Sequence, residues 1–237
     1  MAYLETYILK FRKFIYYIMI MMKSILFIDK STEKKVESSK INNNNRSNNP
    51  LIILGPSAVG KDTMINRLKA KYNENVYKLP SYTTRQKRSG ETNGIDYIYV
   101  TKEKFNEMEK EGNLFGIQEY NNNYYASNKS LLREVMKNKS KLVILNYNIE
   151  TTNLIKDEFE FNYIAILPPN EEALRERLIK RKTKLEEIEK RMEKSKKEIE
   201  LIKEANYINY RLVNDEEEKA YNELENYLKE IYPHIFI

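Results

Sequence analysis

The sequence predicts an α/β fold with a three-layer core, a parallel sheet covered by helices on both faces. Three observations predict it. Short apolar runs recur at 51–54, 76–79, 142–147, 163–167 and 211–213, segments of helical spacing separate them, and the first run passes through a glycine-bounded loop into a helix. The run at 51–54, Leu-Ile-Ile-Leu, is apolar at every position, as a strand buried on both faces requires. The helix after it, at 62–72, sets Met64, Ile65 and Leu68 on one face. After the second strand the pattern changes: short strands around 97–100 and 114–120 with a helix at 104–110 form an inserted lobe over 80–128. The third and fourth core strands follow. Leu185, Ile188, Met192, Ser195, Ile199 and Ile202 then step by three and four, one long helix with a narrow apolar seam, too short for a coiled coil; it is read as a lid spanning 175–206. A last strand at 211–213 and a helix at 216–232 close a domain of residues 50–232.

The loop Gly55-Pro56-Ser57-Ala58-Val59-Gly60-Lys61 suits a polyphosphate. A strand that turns through glycines into a helix leaves backbone N–H groups converging on one spot at the positive end of the helix dipole. Lys61 adds a mobile cation for the β and γ phosphates, and two of only six glycines in the chain are spent here. One position departs from G-x-x-x-x-G-K-[ST]: Asp62 stands where a hydroxyl usually holds Mg2+, with Thr63 next. A carboxylate is a hard ligand for Mg2+, yet it repels a triphosphate when no metal lies between them. Asp62 and Thr63 are the candidate metal ligands.

A second phosphate motif lies some twenty residues on, Thr83-Thr84-Arg85-Gln86-Lys87-Arg88-Ser89-Gly90-Glu91-Thr92-Asn93-Gly94-Ile95-Asp96-Tyr97. Two guanidinium forks and a phenol surround a phosphate monoester well. A lone Arg-x-x-Arg is usually solvated and an isolated tyrosine among nineteen is usually packing, so the weight falls on the spacing.

Residues 81–100 with these fixed spacings resemble the signature segment of guanylate kinases, and the resemblance extends over roughly 50–232. Asn123-Tyr124-Tyr125-Ala126-Ser127 is similar to that family's N-Y-Y-G-[ST] segment, Val213-Asn214-Asp215 to its V-N-D segment, and Arg177, Arg181 and Arg191 stand where it has lid arginines. The resemblance implies a P-loop core with an inserted GMP-binding lobe and a helical lid, ATP and GMP as substrates and Mg2+ as cofactor. It places Ser81, Arg85, Arg88, Tyr97 and Tyr125 on the GMP phosphate, Glu91 behind the arginines, Ser127 on guanine and Asn214 at the ATP site.

Four departures accompany it. The position of a guanine-binding glutamate is Gly116; in an extended strand Gln118 shares its face and Glu119 does not, so Gln118 is the substitute, able to accept one hydrogen bond. Asn146 and Asn148 replace aspartates, Ala126 replaces a glycine, and Lys182 follows the second lid arginine where a glycine is usual. Weaker guanine selection is expected.

Composition narrows the chemistry. With no cysteine and one histidine, His234 near the C-terminus, disulfides, thiol catalysis and histidine metal sites are excluded. Phosphoryl transfer survives, since it needs positioned cations and little covalent help. Of the net charge of +6, residues 1–50 carry +5, so the rest is nearly neutral and no nucleic-acid face is expected. Residues 1–49 form an extension. Its first 28 residues hold four basic side chains, one acid and broken apolar stretches, which fit a targeting segment for a plastid or mitochondrion better than a membrane span; without a targeting role the expected location is the cytoplasm. Residues 31–49, rich in Lys, Ser and Asn, are expected to be disordered.

The reading is an ATP:GMP phosphotransferase. A kinase of another phosphorylated small molecule, such as ribose 1,5-bisphosphate, and a non-catalytic phosphoprotein-binding module remain open as alternatives.

Overall fold

The computed structural model describes residues 46–120 and 122–236. The expectations for the extension therefore lie, up to residue 45, outside the described residues.

Among the described residues, nine strands and seven helices follow in the order β1 (Leu51–Leu54), α1 (Lys61–Lys71), β2 (Val76–Lys78), β3 (Ser81–Thr83), β4 (Tyr97–Tyr99), α2 (Lys102–Lys110), β5 (Leu114–Tyr120), β6 (Asn123–Asn128), α3 (Lys129–Met136), β7 (Leu142–Tyr147), α4 (Ile149–Ile155), β8 (Asn162–Leu167), α5 (Glu171–Lys180), α6 (Leu185–Glu204), β9 (Tyr210–Val213) and α7 (Glu217–Ile231). β2-β7-β1-β8-β9 form one sheet in which every pairing is parallel. β1 lies at its centre, between β7 and β8, so the glycine loop leaves the carboxyl end of the middle strand, where open parallel sheets bind ligands.

Alternation along β1 builds both faces. Leu51 and Ile53 join Met64, Leu68, Leu174, Met192 and Leu224 on one side; Ile52 and Leu54 join Leu132, Leu145, Ile155 and Ile202 on the other. All four β1 side chains are fully buried, which explains why the run contains no polar residue.

The inserted lobe is a second sheet, β4-β3-β6-β5, closed by α2 over Phe105, Met108, Leu114 and Ala126. It contains two strands the sequence did not announce. β3 is only Ser81–Thr83, and β6 is a polar and aromatic stretch whose pairing with β5 and β3 makes it a strand. The register of β5 against β6 shifts between Phe115 and Gln118, with Gly116 at φ +62°, so strict alternation along β5 breaks there.

The seam of α6 is largely as expected: Ile188, Met192, Ser195 and Ile202 are buried. Leu185 is a correction. It is 75 % exposed at the first turn, where no neighbouring element covers it, and Glu198, an acid outside the expected seam, is buried instead.

Candidate active site

The donor loop is held open from behind. Gly60 starts α1 at φ +107°, and a Cβ there would come within 2.5 Å of the Asn214 side-chain nitrogen; that nitrogen donates to the Val59 carbonyl at 2.8 Å. Arg177 donates to the same carbonyl at 3.2 Å and to the Asn214 carbonyl at 2.7 Å. Two of the expected site residues, Arg177 and Asn214, are thus placed as struts of the loop. Gly60 offers no side-chain cap to α1, so the N–H groups of its first turn remain for a ligand. Lys61 folds back onto its own loop and donates to the carbonyls of Gly55 and Pro56, the latter at 3.0 Å. Burial lowers its ammonium to about 8, against the pull of Glu198 and Asp62.

Asp62 has partners the motif did not reveal. One carboxylate oxygen, Oδ1, pairs with the Lys78 ammonium at 2.9 Å and accepts from the Asn146 amide at 3.0 Å. Burial alone would raise this carboxyl, but Lys78, with help from Lys61 and Asn146, holds it below its ordinary range. The Asp62 carboxylate and the Asn146 amide oxygen are hard donors lining the same cleft, a set that fits Mg2+; Thr63 does not join them in the cleft wall.

The acceptor cluster is organised by Glu91. One of its oxygens accepts from Arg85 at 2.7 Å; the other accepts from the Arg88 backbone N–H at 2.8 Å and the Tyr99 hydroxyl at 2.7 Å. The Arg85 hydrogen bond, followed by those from Arg88 and Tyr99, holds the carboxyl at about 2. Arg85 stands over the rings of Tyr97 and Tyr99, 5.3 and 5.9 Å from their centres, and Tyr97 meets Tyr125 edge-on at 5.9 Å. Ser81 sits opposite Tyr97 in the β3–β4 pairing, and the Arg88 residue is exposed at the rim. Tyr99 was visible in the motif but lacked an expected role; its hydroxyl fixes the same carboxylate that fixes Arg85.

The lid joins the donor loop to the inserted lobe. Arg191 of α6 donates to the Ser57 hydroxyl of the donor loop at 3.1 Å and to the Tyr120 hydroxyl of the lobe at 3.3 Å. Arg181, Lys194, Ser195 and Glu198 complete that wall of a cleft of about 370 Å³, floored by Gly55, Ser57, Ala58 and Lys61 and faced by Gln118, Tyr147 and Asn148. Glu198 lies seven residues beyond Arg191, two turns along the same helix face, a spacing that would have found it. The Asp62 charge also raises the Tyr97 hydroxyl, second to burial, which puts the acceptor tyrosine within electrostatic reach of the donor helix.

The base end differs from expectation. Ser127 is buried and hydrogen-bonded to the Tyr147 hydroxyl. A Cβ on Gly116 would lie 2.7 Å from that same hydroxyl, so Tyr147 fills the space a side chain at 116 would need. Gln118 reaches the cleft, but its Oε1 is taken by the Asn148 amide at 3.1 Å.

A parallel sheet with a glycine loop at its central strand, an inserted lobe carrying a second cluster suited to an anion, and a helical lid whose Arg191 reaches both loop and lobe define a P-loop nucleoside monophosphate kinase. The sequence model of the family described as guanylate kinase matches residues 47–231. The chain is 32 % identical over 180 residues to a guanylate kinase of Oceanobacillus iheyensis, covering 75 % of this chain and 85 % of that one, and 33 % identical over 178 residues to a guanylate kinase of Schizosaccharomyces pombe, covering 74 % and 88 %. A crystal structure of guanylate kinase from Anaplasma phagocytophilum matches in fold, with a TM-score of 0.58 at 24 % identity over 78 % of this chain and 86 % of that one. The chain belongs to the guanylate kinase family.

Proposed function

We propose that the chain transfers the γ-phosphoryl of ATP to the phosphate of GMP, giving ADP and GDP. The observation that carries this reading is Arg191, which touches the donor loop and the acceptor lobe at once, so that one cation bridges the two parts that would hold the substrates. The α1 N-terminus and Lys61 receive the β and γ phosphates, and ATP replaces the loop carbonyls as the partner of the Lys61 ammonium. Arg85, set by Glu91, binds the accepting phosphate with Arg88, Ser81, Tyr97 and Tyr125. Arg181 and Arg191 close over the transferring group and exclude water that would hydrolyse ATP. Mg2+, when bound, neutralises the β and γ phosphate oxygens; Asp62 and the Asn146 amide oxygen are the residues that would hold it, directly or through water. No general base is needed, because the accepting phosphate oxygen is already anionic.

Retention of Lys61 and the lid arginines supports an enzyme over a binding module. No helix among the described residues is long and apolar enough to cross a membrane. A coupled assay of ADP release with ATP and GMP tests the reading, with Arg88→Ala as the control. Loss of one arginine on the accepting phosphate is expected to lower kcat about 100-fold or more with ATP affinity unchanged. Full activity in Arg88→Ala overturns the acceptor assignment.

A further inference from the structure

The orientation of Gln118 follows from a chain of obligatory donors. The Thr151 backbone N–H can only donate, and it donates to the Asn148 side chain at 2.8 Å, so that atom of Asn148 is its oxygen. The other arm of Asn148 is then its NH2, which donates to Gln118 at 3.1 Å and commits the Gln118 oxygen. With that oxygen turned toward Asn148, the group that Gln118 leaves wholly unpartnered is its own NH2, a donor. Asn148 cannot turn over without uncapping α4, because its oxygen is the helix cap.

The neighbouring wall carries no charge. Tyr147 occupies the space beside Gly116, and its hydroxyl is bonded to Ser127, so a neutral phenol stands where a side chain at 116 would project. This neutral patch lies beside the phosphate cluster. Gln118 is paired across the strands with Tyr125, and Ser127 follows Tyr125 by two residues on the same face of β6, about 7 Å along the strand. A nucleotide whose phosphate sits among Arg85, Tyr97 and Tyr125 therefore lays its base against Gln118 and the hydroxyl pair.

We propose that the acceptor is the class of 6-oxopurine nucleoside monophosphates, read through the Gln118 NH2 group donating to the base oxygen and not through an acceptor for the 2-amino group. Guanine and hypoxanthine both present the 6-oxygen, so IMP is a substrate on nearly equal terms with GMP. Adenine presents an amino group there, donor against donor, and is rejected. Asn148 is the positioning residue that sets this preference. The inference rests on the phosphoryl-transfer reading and deepens it.

The test compares kcat/KM for GMP, IMP and AMP in the full chain, alongside direct binding of each monophosphate by calorimetry. For the wild type, IMP is expected within about tenfold of GMP, with AMP at least about 100-fold poorer. Asn148→Asp keeps the helix cap but cannot donate, so Gln118 turns its NH2 to the new carboxylate and its oxygen to the base; the preference for GMP and IMP over AMP should fall about tenfold, in KM and not in kcat. Gln118→Ala, whose side chain supports no helix, should raise KM for GMP and IMP about tenfold each, lower KM for AMP by relieving the donor clash, and leave KM for ATP unchanged. A wild type preferring GMP over IMP more than 100-fold, an unaltered ratio of GMP to AMP in Asn148→Asp, or an unaltered GMP KM in Gln118→Ala overturns the inference while phosphoryl transfer to GMP stands. Neither binding nor turnover of any purine monophosphate overturns both.

Discussion

Asp62 shows how a residue that breaks a motif is accommodated by its neighbours. Alone beside a triphosphate it would repel the substrate, but Lys78 and Asn146 share one of its oxygens and hold its charge in place. Neither partner is legible as such in the sequence: Lys78 is a lysine in a short strand, and Asn146 is an uncharged residue in place of an aspartate. Both become partners because β2 and β7 are adjacent parallel strands that deliver their side chains to the start of α1. Lys78 offsets only part of the repulsion, so ATP affinity should depend on Mg2+ more steeply in the wild type than in Asp62→Ser. Titration of ATP with and without Mg2+ should show the metal effect shrinking about tenfold in the variant; equal metal dependence would refute the assignment of Asp62. Gly116 is the complementary case. Its lack of a carboxylate was readable, but the tyrosine that fills the gap was not, since Tyr147 is an apolar-run residue until the sheet sets it against the lobe.

At the level of elements, the junction of α5 and α6 concentrates strain at one position. Lys182 lies at φ +56°, and the N–H groups of Lys182 and Thr183 close the end of α5 onto the Ile179 and Leu178 carbonyls. A lysine in this left-handed conformation costs about 1 kcal/mol more than glycine, which is the residue the family resemblance led us to expect there. Lys182→Gly should therefore raise Tm by about 2 °C, whereas Lys182→Val should lower it; a thermal melt decides, and a lower Tm for the glycine variant would contradict the strain. The long helix beyond was legible from its spacing. Its buried acid is legible only through the seven-residue spacing from Arg191, because by composition alone Glu198 reads as one more charge in a run of Lys and Glu. The shift of register in β5 was hidden for a related reason: a bulge is a property of two paired strands, and one strand's alternation does not announce it.

Across the whole molecule, the closing helix α7 ties the sheet to α1 through a buried carboxylate. Glu225 is 5 % exposed and pairs with Lys71 of α1 at 2.7 Å and with Lys229 of its own helix at 3.0 Å. Burial pushes the carboxyl up, but the hydrogen bonds from Lys71 and Lys229 together outweigh it and hold it at about 2, against an ordinary 4.5. A depressed carboxyl stabilises the fold fully above its unfolded value and loses that contribution as pH falls from about 4.5 toward 2. The urea midpoint of the wild type should thus exceed that of Glu225→Gln at pH 6, and the gap should narrow through that window. A gap independent of pH would mean that packing, not charge, links α7 to α1.

Composition and spacing by themselves determined the layered architecture, the donor loop and the Arg85, Arg88 and Glu91 cluster. These rest on local rules: apolar runs must be buried, glycines must turn, and guanidinium groups at fixed intervals serve one anion. Only the tertiary structure decided that Arg177 and Asn214 brace the loop from behind, that Lys78 pairs with Asp62, and that Asn148 donates to the Gln118 oxygen and so orients its amide. Each of those depends on a hydrogen bond between residues at least sixteen positions apart, whose geometry exists only once the strands are side by side.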